Sequence, residues 1–347
     1  MDYHRKKIPQ HLPFKKFACC IPVKGFARSI IYDLNRSRFS YIPNSLFKLL
    51  TRYEGQTIHG IKSKFNAQES EIIDEYFSFL IEREYIFFCK SKSELKRFPD
   101  LGLSFKSPSL ISNAIIQIKD ELKIDLPKVI SELTDLGCRF VQITLHGNEN
   151  LRFAEKLLDC FAKSPIRSVE LFLKFNISFS DSKLIDLVKR HNRVHHLLVY
   201  GAPEGRILKP FNMEMQAISF IQQSINCRLE AAVRDTSSFR TNIDLFCESQ
   251  TYNTYFNQKV VIDWEGRIKN VPNSELTFGS YNTDSLKKVV ATKKFQKLWK
   301  VKKDKIETCR DCEYRYMCVD NRIPVKKDKK WVHTRECNYD VQRKRWK

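Results

Sequence analysis

The chain has 347 residues, of which 42% are hydrophobic and 12% aromatic, and it carries a formal net charge of +21. That length allows two or three domains with a sizeable core, and that composition excludes a disordered chain. The longest apolar stretches, such as Ala114–Ile118 and His196–Tyr200, are far too short to cross a bilayer. The basic start MDYHRKKIPQHLPFKK is followed by no apolar signal core, so a cytoplasmic protein without membrane contact is expected.

Residues 1–96 form the first expected domain. Ser29–Asp33 and Arg38–Ile42 read as two strands joined by a turn at Leu34–Ser37. Pro43 sits at a helix start, with Leu46, Leu49 and Leu50 at helical spacing. A second helix is predicted over Ala67–Glu84, with Ile72, Ile73, Tyr76, Phe77 and Leu80 on its buried face. Ile86–Phe88 closes the domain as a short strand. Such a set of elements outlines a small winged-helix-like domain.

Residues 108–250 alternate strand and helix. Strands are expected at Ala114–Ile118, Phe140–Thr144, Ser168–Leu173 and His195–Tyr200. Helices are expected at Pro127–Leu136, ended by Gly137, at Leu151–Ala162 and at Ser182–Arg190. Strand–helix units of this spacing imply parallel strands with crossover helices. Four units, with two blurred ones after Gly201, imply an α/β domain built as a degenerate partial (β/α) barrel, not a full eight-unit one. Residues 251–347 form the last domain. A hairpin is predicted over Val260–Trp264 and Arg267–Val271 with Gly266 at its turn, then a helix over Asp284–Trp299.

Eleven cysteines in such a chain point to metal or redox chemistry more than to a disulfide scaffold. Seven are scattered: Cys19, Cys20, Cys89, Cys138, Cys160, Cys227 and Cys247. The other four, Cys309, Cys312, Cys318 and Cys337, close the chain. Two thiolates separated by two residues can chelate from one tight turn, and two more complete the set after the chain loops back. Four sulfur donors select zinc or an iron–sulfur cluster, and spacing alone does not separate them. Arg310, Arg315 and Arg322 would offset the thiolate charge. The adjacent Cys19 and Cys20 read as packing residues, and His195 and His196 as core or strand-end residues. No Ser/His/Asp constellation and no phosphate-binding glycine loop is readable.

At these cysteines the chain resembles a SPASM domain, the C-terminal extension of many radical-SAM peptide-modifying enzymes. It is most similar to the SPASM-domain peptide maturases of grasp-with-spasm systems. The similarity runs through Ile21–Tyr32, Ile42–Asn44, Ile262–Asn270, Phe278-Gly279, Glu307–Cys318 and Cys337-Asn338-Tyr339. It implies one auxiliary [4Fe-4S] cluster on Cys309, Cys312, Cys318 and Cys337, a precursor peptide bound by the N-terminal domain, and an ATP-grasp ligase as partner. The departures are as informative. Ligands of a first auxiliary cluster would fall near Tyr255, at Val271 and at Asn321 or Arg322, and all are missing, which leaves nothing for Cys227 to complete. The Cys-x3-Cys-x2-Cys loop that cleaves S-adenosylmethionine should follow Ala114–Ile118. Lys119-Asp120-Glu121-Leu122 stands there, no cysteine occurs before Cys138, and the glycine-rich segment is reduced to His146-Gly147-Asn148-Glu149. S-adenosylmethionine is therefore not an expected cofactor, and catalysis by the chain itself is left open.

The charge supports a different reading. Ser285–Lys347 holds 21 Lys and Arg against 8 Asp and Glu, +13 of the total +21. Such a surface suits an acidic partner or is simply solvated. With Tyr314, Tyr316 and Trp331 beside the cysteines, the alternative is a basic nucleic-acid-binding protein with a zinc-stabilised C-terminal module.

Overall fold

The computed structural model describes residues 8–119, 125–147, 150–209, 216–225, 233, 235–272 and 274–347. Cys227, Asp120-Glu121-Leu122 and Asn148-Glu149 fall outside the described residues. The chain folds into two compact units that do not follow chain order. One comprises Met1–Phe105, Ala232–Thr254 and Val301–Lys347, the other Lys106–Ala231 and Tyr255–Lys300.

The first unit begins with β1 (Phe14–Lys16), which pairs antiparallel with the later β5 (Ile86–Phe88). Strands β2 (Cys20–Val23), β3 (Ser29–Asp33) and β4 (Arg38–Ile42) form an antiparallel sheet in that order. Between β4 and β5 lie α1 (Asn44–Arg52), α2 (Ile58–Lys62) and α3 (Ala67–Glu82), and the short α4 (Lys92–Leu95) follows. The hairpin and its bounds are those the sequence predicts. Helix α3 starts on a capping box, with Asn66 accepting from the Glu69 N–H while the Glu69 side chain accepts from Asn66 N–H. Its buried stripe is Ile73, Phe77 and Leu80, whereas Ile72 is 42% exposed. Ile72 stands one residue, about 100° of helical rotation, away from Ile73 and so falls off a stripe of period 3.6.

Every residue of β3 is buried. Ile31 enters a core with Phe14, Leu46, Leu50, Phe77 and Leu80. Ile30 and Tyr32 point the other way, into a second core with Phe246, Tyr314, Met317 and Tyr339. Alternation along a strand sends neighbours to opposite faces, so a strand buried on both sides reads as one apolar run, SIIY.

The second unit carries an eight-stranded sheet. Its strands are β6 (Asn113–Ile118), β7 (Phe140–Leu145), β8 (Ser168–Lys174), β9 (Val194–Tyr200), β10 (Arg206–Leu208), β11 (Ala217–Ile221), β12 (Lys259–Ile262) and β13 (Ile268–Lys269), in the order β10-β11-β9-β8-β7-β6-β12-β13. The six strands from β11 to β12 run parallel, and the two edge strands pair antiparallel. The protein is thus an α/β protein with a large parallel sheet. Helices α5 (Leu126–Asp135), α6 (Leu151–Asp159) and α7 (Asp181–Arg190) make the crossovers. The chain leaves the sheet for α8 (Ile243–Thr251), part of the first unit, and returns at β12.

The helix expected over Asp284–Trp299 is broken. Helix α9 spans only Leu286–Val290, and a separate 3-10 turn covers Phe295–Lys300. Thr292 explains the break: its hydroxyl donates back to the Val289 carbonyl at 2.8 Å and accepts the Phe295 N–H at 3.2 Å, ending one piece and capping the next. The remainder of the first unit is two short antiparallel pairs, β14 (Pro324–Lys327) with β15 (Lys330–His333) and β16 (Tyr339–Asp340) with β17 (Arg345–Trp346). No helix among the described residues is long and apolar enough to cross a membrane.

Gly137 ends α5 at φ +81, and a Cβ there would meet Ser109 Oγ at 2.7 Å. The Gly137→Ala variant should lose about 1–3 kcal/mol from left-handed backbone strain and crowding together, read as a lower urea midpoint at unchanged slope.

Candidate metal centre

Cys309 opens a single 3-10 turn, Cys309–Asp311, and the Cys312 N–H returns to the Cys309 carbonyl at 3.0 Å. Both thiols therefore leave one turn of backbone. Thr308, just before it, sits at φ +67, in the left-handed region. The Cys318 carbonyl accepts the Thr254 hydroxyl at 3.2 Å, and the Cys337 sulfur accepts the Tyr339 N–H at 3.4 Å. Burial pushes the Cys309, Cys312 and Cys318 thiols up, and the neighbouring sulfurs add to it. Cys337 acts on Cys309, Cys309 and Cys337 on Cys312, and Cys309 and Cys312 on Cys318. All four cysteines belong to one electrostatic neighbourhood.

That neighbourhood is spacious. Among the described residues, the trio of metal-type donor atoms lying within 4.8 Å of one another is Cys19, Cys20 and Asp33, so no three of the C-terminal sulfurs are drawn that close. Four sulfurs around one zinc at the usual bond length would stand roughly 3.8 Å apart. The Cys19–Cys20–Asp33 trio is itself occupied. Asp33 accepts from the Arg36 N–H at 3.1 Å and from the Arg36 and Arg38 guanidinium groups at 3.2 and 3.0 Å. Burial, then Cys19 and Asp33, push the Cys20 thiol up. These are packing residues at the first core, as their adjacency suggests.

Lys303, Asp320 and Arg322 form an ionic group whose side chains are at most 3% exposed. Lys303 pairs with Asp320 Oδ2, and Arg322 Nε donates to Asp320 Oδ1 at 3.0 Å. Burial would raise the Asp320 carboxyl, but the Lys303 and Arg322 charges outweigh it and hold it well below the usual carboxylate range. Lys303 also feels Cys318 and Cys309, and Arg322 feels Cys337 and Cys309. Two buried cations thus face the thiols, with one carboxylate between them. Of the three arginines named from the sequence, Arg322 alone is placed this way. Arg315 donates to the Cys312 carbonyl at 2.8 Å and to Asp304 at 3.2 Å, and Arg310 is exposed beside Asp311.

Glu313 follows Cys312 and is fully buried. Arg28 Nε donates to its Oε1 at 2.7 Å, and the Tyr339 hydroxyl donates to the same oxygen at 2.6 Å. Arg28 also donates to the Tyr314 hydroxyl at 2.8 Å and lies 3.6 Å from the centre of the Tyr41 ring. The Tyr32 hydroxyl donates to the Glu313 carbonyl at 2.9 Å. Gly25 approaches closely as well: a Cβ there would come 3.0 Å from the Glu313 Cβ. The β2–β4 sheet and the cysteine segment are in this way one packed body.

On another side lies a cavity of about 630 Å³ whose wall includes Cys309, Cys337, Arg322, Thr334, Phe26 and His333. Burial, then Lys303, push His333 down to about 3, which leaves its ring neutral.

The other residues singled out from the sequence have ordinary places. Val271 is a fully buried apolar residue, and Tyr255 packs its ring on Phe256. Cys138, the nearest cysteine after β6, is buried, its thiol pushed up to about 12 by burial and donated to the Ser112 and Phe140 carbonyls. His195 and His196 hydrogen-bond Ser168 and Ser219 at 2.9 and 3.0 Å. Tyr314, proposed above as a stacking platform, is 1% exposed and cannot receive a base. Sequence reasoning missed Arg28, Lys303, Asp320, Glu313 and His333.

No protein family matches the chain, and no curated protein matches it. Solved structures that match include crystal structures of SuiB from Streptococcus suis. With S-adenosylmethionine bound, SuiB is 12% identical with a TM-score of 0.31; a second crystal structure of SuiB is 11% identical at 0.30. Bound to its precursor peptide SuiA, it is 10% identical at 0.27. Each alignment covers 88% of this chain and 94% of that one. Superpositions this loose carry no argument about chemistry.

Because Arg28 is the cation paired with Glu313 among the described residues, Arg28→Met should cost about 3 kcal/mol by stranding a buried carboxylate. Adding Glu313→Gln should recover most of that loss. Denaturant melts of the two single variants and the double variant give the coupling directly.

Proposed function

We propose that the chain is a peptide-maturation protein that recognises a precursor peptide and holds one metal centre through Cys309, Cys312, Cys318 and Cys337. The observation that carries the reading is the joint packing of the Ser29–Ile42 hairpin with the cysteine segment, through Arg28, Tyr32 and Tyr41 on one side and Glu313 and Tyr314 on the other. A winged-helix-like leader-binding domain and a SPASM-like segment then work as one body. Strand β4 has β3 as its strand partner, and its far edge suits a peptide added as a further strand.

A [4Fe-4S] cluster is the favoured centre. Among the described residues no three of the sulfurs lie within 4.8 Å of one another, and Lys303 and Arg322 would offset thiolate charge. Bound there, the cluster supplies a cross-link between Cys309–Cys318 and Cys337. The parallel sheet stands as a degenerate partial barrel without the S-adenosylmethionine loop, and an ATP-grasp ligase carries out the covalent step on the peptide. The basic surface makes nucleic acid the competing partner, with zinc at the cysteines.

Two measurements decide between these readings. Anaerobically purified full-length protein should contain about four iron and four sulfide per chain, and Cys337→Ser should lose most of it. A colourless protein with one zinc and salt-sensitive RNA or DNA binding would establish the competing reading instead. The reconstituted, reduced protein should release no 5′-deoxyadenosine from S-adenosylmethionine; release above a no-protein control would overturn the inactive-barrel assignment.

A further inference from the structure

We propose that the lysine patch formed by Lys287, Lys288, Lys293, Lys294 and Lys297 is a docking surface for an acidic polypeptide segment, a run of Asp and Glu on a partner. The patch lies in the second unit and owes nothing to the cysteines.

Its backbone is firmly anchored. Leu286, Val289 and Val290 of α9 are buried, and so are Phe295 and Trp299 of the 3-10 turn that follows the break at Thr292. The two pieces touch each other, and α9 also touches α5. The apolar residues of the stretch therefore point inward, and all five lysines are left exposed.

The charge is not balanced from within. Between Ser285 and Lys300 the sequence holds no Asp and no Glu. Among the described residues, none of the five lysines makes an ion pair or a side-chain hydrogen bond. Two carboxylates reach the stretch, and both are spent on backbone: Asp284 accepts the Ser280 N–H at 2.8 Å and Glu132 the Leu286 N–H at 2.9 Å. Lysines further along the chain are provided for, because Lys302, Lys303, Lys330 and Lys347 pair with Asp304, Asp320, Glu307 and Glu336. Five like charges gathered without a counter-charge repel one another and do nothing for the fold. A carboxylate-rich partner relieves that repulsion and is steered in by the same field.

The residue types favour carboxylates over nucleic acid. Arginine, whose planar fork grips phosphate with two bonds and stacks on rings, is absent from the whole stretch. Single strands also need open aromatic platforms, and both rings here, Phe295 and Trp299, are buried. Lysine is a point charge on a flexible stem and can follow carboxylates of loose geometry. At about 1.5–2.0 Å per residue of helix or 3-10 turn, Lys287 to Lys297 spans on the order of 15–20 Å, which about five or six residues of extended peptide would cover.

The test uses the full-length protein and two fluorescein-labelled probes of matched charge, a short peptide of alternating Asp and Glu and a single-stranded DNA. Fluorescence anisotropy at low salt should show saturable binding of the peptide, weakening as salt is raised. Replacing all five lysines (Lys287→Gln, Lys288→Gln, Lys293→Gln, Lys294→Gln and Lys297→Gln) should weaken it about tenfold or more. A control with the same change of charge, made at the exposed Lys48, Lys92, Lys96, Lys156 and Lys163, should weaken it far less. Carbodiimide coupling of the peptide to the wild-type protein needs no variant, and its cross-links should map to Lys287–Lys297. Lack of saturable binding, an equal loss in the control, or cross-links that fall elsewhere would overturn the proposal. DNA that binds more tightly than the peptide through the same five lysines would overturn it in favour of nucleic acid.

Discussion

The first unit depends on strand Ser29–Asp33 being buried on both faces. One face closes the core of the small helical domain through Ile31, and the other receives Phe246, Tyr314, Met317 and Tyr339 through Ile30 and Tyr32. A strand in that position has no solvent side, so each face constrains the other. Register is fixed, because a slip of one residue would exchange the two sets of side chains. It also means that the cysteine segment cannot be displaced without uncovering Tyr32 and stranding the Glu313 carbonyl that its hydroxyl bonds.

Two buried ionic groups frame the cysteines, and both are costly to assemble. Arg28–Glu313 and Lys303–Asp320–Arg322 each give up hydration that their mutual attraction repays only with good geometry. As stabilising devices they are weak. As a setting for thiolates they make sense: Lys303 and Arg322 bring two positive charges toward Cys309, Cys318 and Cys337, which would have to lose protons to bind a metal, while Asp320 fixes both cations in place. Burial raises the Cys309, Cys312 and Cys318 thiols, so a metal entering there would have to displace their protons.

Much of this was legible in the sequence where the signal was local. The hairpin, the crossover helices and the strands β6 to β9 follow from apolar period and from turn residues such as Gly137. The broken helix was not, because Thr292 is an unremarkable helix residue until its hydroxyl is seen working in both directions. The cysteine spacing singled out Cys309, Cys312, Cys318 and Cys337 as a candidate metal centre. Arg28 and Glu313 stand 285 residues apart and meet only in the fold. Lys303 and His333 lay hidden for a related reason: in a segment with 21 basic residues, composition cannot tell which cation goes inside.

The architecture of the last 47 residues sets what a metal centre there, as proposed, would do first. Their strands are two to four residues long and pair as two antiparallel ribbons, with one parallel bridge from Ile306 to Trp331. Ribbons of that size are marginal in water by themselves. Their buried apolar side chains are few, chiefly Ile306, Tyr314, Met317 and Tyr339, and three of those four lean on the β3 core. A segment that buries so little of its own surface is held by what it docks on and by cross-links within it. A metal joining the Cys309–Cys318 stretch to Cys337 closes a long loop in the unfolded chain and so removes entropy that packing would otherwise have to offset. That duty is independent of electron transfer. On the reading proposed above, it also accounts for four cysteines here beside a sheet whose first strand is followed by no Cys-x3-Cys-x2-Cys motif: the Ser29–Ile42 hairpin would need the segment beneath it whatever the sheet does.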